Sequence, residues 1–294
     1  MEFTYIADTE NQKVKYFLKR YHVSKKLLAK VKFDGGEILV NGKEENAIFR
    51  LKIGDVVKIT TPDEKTNDEL IAEDFPLDVI YEDEDYLLIN KPAGYASITG
   101  SKSPTGSMCN FVAGYLIRQN YANQKVHLAT RLDRNTSGLM IFCKHSFAHS
   151  ILKAQKSEFT KKYYALVKYD ENMPKSGVID APIGRAEGSI IERRVRHDGL
   201  MEAKAARTSY EVVAVKNGLA LLDVTLHTGR THQIRVHMAH IGYPLIGDDL
   251  YGGDTELLQR QALHCHSVKF ENSFREKIIE VECPLPSDLE NLLK

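Results

Sequence analysis

Residues 126–146 read Val-His-Leu-Ala-Thr-Arg-Leu-Asp-Arg-Asn-Thr-Ser-Gly-Leu-Met-Ile-Phe-Cys-Lys-His-Ser. Polar residues and a glycine at Asn135-Thr136-Ser137-Gly138 describe a tight loop, and the apolar run Leu139–Cys143 reads as the buried strand it feeds. Asp133 lies in that loop between Arg131 and Arg134. A lone loop aspartate most often caps its own turn. Two arginines change the odds, because a nearby cation favours the ionised form of a carboxylate. An ionised carboxylate beside a basic groove is suited to attack an anionic substrate or to take a proton from it.

Short strands, turns and helices alternate on both sides of this loop. Upstream, Val79–Tyr81 and Tyr86–Ile89 flank the acidic turn 82–85 and read as a hairpin. Residues 106–119 suit a helix with Phe111, Tyr115 and Leu116 on one face. Downstream, Ser146 is placed to cap a helix carrying Ala148, Ile151 and Leu152. Tyr163–Lys168, Thr208–Val215 and Leu219–His227 read as strands. The next segment, Thr228-Gly229-Arg230-Thr231-His232-Gln233-Ile234-Arg235, turns at Gly229 and predicts a helix over Thr231–Ile241. Amide donors at that helix start, together with Arg230, would suit a phosphate. Arg235 lies one turn in, where it could pair with a carboxylate from another segment.

The N-terminal part, 1–62, reads as a separate module. Val14, Phe17, Leu18 and Tyr21 keep helical spacing. A second helix follows Ser24, with Lys25, Lys26, Lys30 and Lys32 exposed. Two short strands around Ile38–Val40 and Asp55–Ile59 complete it. A charged stretch, 63–78, looks like a linker to a larger domain over 79–294.

Composition sets outer bounds. The chain has 294 residues, 43% of them apolar, enough for a sizeable core. Its net charge is zero, but the distribution is uneven: +4 over residues 1–60, −9 over 61–100 and +5 over the remainder. A balanced total therefore hides two mildly basic regions that can meet phosphates. No apolar run approaches the ~20 residues of a membrane span. The N-terminus lacks the pattern of a signal peptide, so the expected compartment is the cytoplasm. Four widely spaced cysteines predict free thiols.

With these segments in hand, a resemblance becomes specific. PLDVIYEDEDYLLINKPAG (76–94), VHLATRLDRNTSGLMIFCKHS (126–146) and LHTGRTHQIRVHMAHIGYPLIGDDLYGG (226–253) resemble the signature segments of RluA-type pseudouridine synthases. KKYYALV (161–167), the stretch 205–213 and RQALHCHSVKF (260–270) resemble further family segments. Residues 24–42 with 54–59 resemble an α-L RNA-binding module first named for a small-subunit ribosomal protein. The resemblance implies an α+β fold: a mixed, mostly antiparallel central sheet flanked by helices, preceded by the small α/β module.

It also implies roles. Asp133 would be the catalytic aspartate, Arg235 its ion-pair partner, and Tyr163 the aromatic face for a flipped base. Arg131 would contact the RNA, with Arg230 as a second substrate contact and Leu263 packed in the base pocket. Whether Asp133 attacks covalently or removes a sugar proton stays open. No redox step or group donor is involved, so no cofactor is expected. Structured RNA, ribosomal or transfer, is the expected partner, bound by a monomer with no obligatory protein partner. Two places depart from the family pattern: Thr130 stands where the family has His, and Tyr95–Gly100 replaces a short His-Pro ending.

Two other readings compete. His232, His237 and His240, with His264, Cys265 and His266, could be zinc ligands, although histidines bonded to backbone are commoner, and no metal is expected. An RNA-binding protein without catalysis would carry the same basic segments. Asp133→Asn separates it from an enzyme.

Overall fold

The computed structural model describes residues 2–61, 64, 70–100, 103–155, 159–196, 203–273 and 275–294. The N-terminal module comprises β1 (Glu2–Ile6), β2 (Gln12–Lys13), α1 (Val14–Lys19), α2 (Lys25–Phe33), β3 (Glu37–Val40), β4 (Lys43–Glu44), β5 (Arg50–Leu51) and β6 (Val56–Thr60). Ser24 caps α2 by accepting from the Leu27 amide at 3.1 Å. The sheet order is β1-β6-β3-β4. β1 was not anticipated. It alternates exposed and buried residues, with Phe3 and Tyr5 inward, and pairs antiparallel with β6.

The larger part contains β7 (Val79–Glu82), β8 (Tyr86–Lys91), α3 (Met108–Arg118), β9 (His127–Leu128), β10 (Ser137–Cys143), α4 (Ser146–Ala154), β11 (Thr160–Lys168) and β12 (Ser176–Asp180). It continues with β13 (Ile183–Arg185), β14 (Arg193–Val195), β15 (Arg207–Lys216), β16 (Leu219–Leu226), α5 (Gln233–His240), β17 (Leu263–Asn272), β18 (Lys277–Glu282) and α6 (Ser287–Leu292). Among the described residues, ten strands form one sheet, in the order β12-β15-β16-β11-β17-β10-β8-β7, with β18 on β17 and β9 on β10. Its pairings are antiparallel except β10 with β17. The mixed, mostly antiparallel sheet implied by the resemblance is therefore the one observed.

β10 is buried at every position. Strands covered on both faces read as continuous apolar runs, which is why Leu139–Cys143 was legible. β10 lies mid-sheet, so its entry loop opens at the strand ends rather than at a sheet edge.

Three expectations need correction. The helix after the Gly229 turn begins at Gln233, not Thr231; His232 is its N-cap and has φ 57°. The Arg230 amide donates to Gln233 Oε1 at 3.0 Å, so it is not open to a phosphate. The cap of α4 is His145, whose Nδ1 accepts from the Ala148 amide, and not Ser146. Residues 63 and 65–69 of the expected linker lie outside the described residues, but 70–78 pack closely: Phe75 stacks on Phe111 at 4.1 Å, and Asn110 Nδ2 donates to the Ile71 carbonyl.

The module is joined to the sheet through a shared core. Phe147 and Ile151 of α4 belong to the same buried cluster as Phe3, Phe17, Leu28 and Val57. Phe3 stacks on Phe147 at 4.6 Å, and Lys30 Nζ lies 3.1 Å from Ser146 Oγ.

Candidate active site

Asp133 is held by its backbone neighbours, which are themselves clamped. The Thr136 amide donates to the Asp133 carbonyl at 3.1 Å and closes the turn. Thr130, buried, accepts from the Ile141 amide through Oγ1 at 2.9 Å and ties the loop to β10. Ser97 Oγ donates to the Leu132 carbonyl at 2.6 Å and accepts from the Leu132 amide at 3.0 Å. Arg134 Nε donates to the Gly94 carbonyl, and the Gly94 amide donates to the Arg134 carbonyl. Thus both departures from the family pattern, Thr130 and the Tyr95–Gly100 loop, supply bonds that fix the aspartate's loop.

Lys91 completes the clamp. It is fully buried, and its ammonium donates to the carbonyls of Pro92 and Arg134 at 2.8 and 2.9 Å. Burial pushes it down to about 7; Arg260 pushes the same way, and Asp133 opposes.

Asp133 opens onto a cavity of about 440 Å³, a size in keeping with small-ligand sites of ~300–1,000 Å³. Arg131, Tyr163, Arg230, Arg235 and Leu263 line the same cavity. Strand alternation explains the choice of tyrosine: Tyr163 is buried toward the cavity, while Tyr164 lies on the other face against His266, ring centroids 3.7 Å apart. Leu226, Ile234 and Leu263 add apolar wall, and Arg131 is exposed at the mouth. A second groove, of about 560 Å³, shares Arg230 and Thr231 with the first and is lined by Arg185, Arg193 and Lys204.

Arg235 makes a tighter bond than the one expected. Its Nε and one terminal nitrogen hold Asp248, each at 2.7 Å, in a bidentate pair with Asp248 fully buried. Its other terminal nitrogen lies 3.6 Å from Asp133 Oδ2. His232 Nε2 lies 3.9 Å from the same oxygen. Burial lowers the His232 imidazole below its ordinary value, with Asp133 opposing. The Tyr251 hydroxyl is 2.8 Å from His232 Nδ1, and its ring lies 5.0 Å from the Arg235 guanidinium. The helix histidine proposed as a zinc ligand, His237, is committed elsewhere, to Thr208 Oγ1 and the Ala181 carbonyl at 2.9 Å each.

The cavity, its central carboxylate and its cationic rim can be compared with known proteins. A family model described as RNA pseudouridylate synthase matches residues 85–240. The chain is 41% identical over 282 residues to YjbO, an uncharacterised RNA pseudouridine synthase of Bacillus subtilis (strain 168), covering 96% of this chain and 98% of that one.

The chain belongs to the RNA pseudouridylate synthase family.

It is also 33% identical over 276 residues to ribosomal large subunit pseudouridine synthase D of Xanthomonas campestris pv. campestris, covering 88% of this chain and 80% of the relative. The structure of human RNA pseudouridylate synthase domain containing 4 superposes with a TM-score of 0.59 at 21% identity, over 74% of this chain and 91% of that chain. That likeness establishes the shared fold. The family match spans Arg131, Asp133, Tyr163, Arg230 and Arg235, while Leu263 lies beyond it. Sequence reasoning missed Lys91, Ser97, Asp248 and Tyr251. The last two sit in the Gly247-Asp248-Asp249-Leu250-Tyr251 run that the family resemblance had already included.

Proposed function

We propose that this pseudouridine synthase isomerises uridines of ribosomal large-subunit RNA, with Asp133 as its catalytic carboxylate. The observation that carries the reading is one oxygen of Asp133, Oδ2, flanked by Arg235 and His232 within a cavity that also receives Tyr163. In the reaction the N1–C1′ bond of a uridine breaks, the base turns, C5 bonds to C1′, the C5 proton leaves to solvent and N1 takes up a proton. The target sugar is out of reach in a stacked helix, so the nucleotide must be extruded, which costs a few kcal/mol. Arg131 at the mouth is suited to fill the vacated space, and Tyr163 to meet the base face. Attack on C1′ and removal of a sugar proton both start from an ionised carboxylate at this position.

The groove of Arg185, Arg193, Lys204 and Arg230 supports an anionic backbone running past the cavity. Lys25, Lys26 and Lys32 on α2 add exposed charge, whereas Lys30 is engaged with Ser146. The name of the Xanthomonas relative favours ribosomal over transfer RNA. The enzyme we propose is a monomer that needs no obligatory protein partner. Four free cysteines are in keeping with the reducing cytoplasm. The test is to incubate the purified chain with total RNA from cells lacking the gene and map pseudouridine. New sites in large-subunit RNA are expected. Sites confined to transfer RNA would reassign the substrate, and no new site would refute the activity.

A further inference from the structure

His232 is held in a conformation that costs a non-glycine residue energy. Its φ of 57° lies in the left-handed region, at the N-cap of α5. Asn or Gly would sit there with less strain. The contacts of the imidazole bear on how it is protonated.

The hydrogen bonds around Tyr251 favour one direction for its proton, the one that leaves the phenol O–H with an acceptor. The Arg193 amide, which is only a donor, donates to the Tyr251 oxygen at 3.0 Å. His232 Nδ1 is the other partner of that oxygen, at 2.8 Å. With one lone pair taken by the amide, the phenol satisfies both neighbours when its own O–H donates to Nδ1. A neutral imidazole that accepts at Nδ1 carries its proton on Nε2. Nε2 is the nitrogen that faces Asp133 Oδ2 across 3.9 Å. Tyr251 is itself fastened: its amide lies 3.3 Å from Asp248 Oδ1, and its ring packs edge-on to His232, with centroids 5.7 Å apart.

We propose that His232 is a positioning residue for Asp133, its Nε2–H aimed by Tyr251 at Oδ2. Arg235 and His232 then both engage the same carboxylate oxygen, Oδ2, and Oδ1 is the oxygen this proposal offers to the substrate. At 3.6 and 3.9 Å both are electrostatic contacts rather than direct hydrogen bonds. Arg193 joins the chain from Tyr251 to the cationic groove, since its amide anchors the phenol while its residue lines the groove. The inference rests on the proposed role of Asp133.

The test compares two amides in the full-length chain. His232→Gln puts an N–H donor near the Nε2 position, toward Asp133. His232→Asn puts its amide near the Nδ1 position, keeps the Tyr251 contact and suits the left-handed backbone better. A purely structural role therefore favours Asn, and a positioning role favours Gln. Activity is read as tritium released from total RNA, labelled at uridine C5, from cells lacking the gene. His232→Asn is expected to lower kcat about tenfold or more with KM within about twofold, and His232→Gln to recover most of the loss. Tyr251→Phe keeps the ring, so folding is spared, and its kcat is expected to fall with KM unchanged.

A second measurement is independent of turnover. Nitrogen-15 spectra of the histidine-labelled protein should show His232 protonated at Nε2 in the wild type. A His232 protonated at Nδ1, an Asn variant at least as active as Gln, or a loss confined to KM would overturn the proposal while leaving Asp133 in its role. Wild-type protein that releases no tritium would overturn the role of Asp133 and this inference with it.

Discussion

Asp133 could be picked out of the sequence because its setting is local: two arginines, a turn and a strand entry within a few residues. Its supports are not local. Arg235 was expected to pair with Asp133, and it does approach to 3.6 Å, but its bidentate partner is Asp248, thirteen residues downstream in a loop. Helix periodicity gives the face on which Arg235 sits; it cannot give the carboxylate that an irregular loop brings there. This changes what Arg235→Ala should do. The variant leaves Asp248 buried without its cation, so a stability loss of ~3–5 kcal/mol is expected from urea unfolding. Asp133→Asn, at the cavity surface, should lose activity with little change in stability; equal losses in the two variants would contradict this division.

Lys91 gives a pH-dependent test. Unfolded, its ammonium keeps its proton up to its ordinary value of 10.5; folded, it releases the proton near 7. Between these values the unfolded chain binds the extra proton, so this residue's contribution to stability rises with pH across that window. Relative to Lys91→Met, the wild type should therefore gain stability as pH rises from about 7 to about 10.5 in denaturant titrations. A gap that stays constant over the window would count against the buried, partly discharged lysine.

At the scale of elements, strand identity was legible wherever burial follows a simple rule. β10 is apolar throughout because both its faces are covered, and β16 and β11 followed from their apolar content. Pairing was not legible: the parallel contact of β10 with β17 joins residues over a hundred positions apart, at Ser137–His264 and Gly138–Cys265. That contact decides where the Asp133 loop ends. Gly138 has φ 109°, and a Cβ there would meet the Cys265 backbone. Gly138→Ala is therefore expected to cost on the order of 1–3 kcal/mol and to lower turnover, because the strain falls five residues from Asp133. Wild-type melting and turnover in this variant would show that the loop tolerates a shift. The helix that begins at Gln233 instead of Thr231 shows the opposite limit: the Thr-Gly-Arg-Thr pattern suggests a start, but the Gln233 side chain, accepting from the Arg230 amide, fixes the turn before it.

At the scale of the whole molecule, the sequence divides the chain into module, linker and catalytic domain, and the structure joins them more closely than that. Phe147 and Ile151 of α4 complete the module's core, and residues 70–78 lie along α3. The exposed lysines of α2 and the arginine groove beside the cavity thus belong to one connected body through which RNA can be held at two places. We propose that a single carboxylate in that body, Asp133, carries the conversion of uridine to pseudouridine. The most direct measurement is a pseudouridine map of total RNA from cells lacking this gene, complemented with wild type or with Asp133→Asn, alongside RNA-binding measurements on both proteins. The wild type should restore sites that the variant leaves unmodified, while both bind RNA with similar affinity. Restoration of those sites by Asp133→Asn would contradict the account.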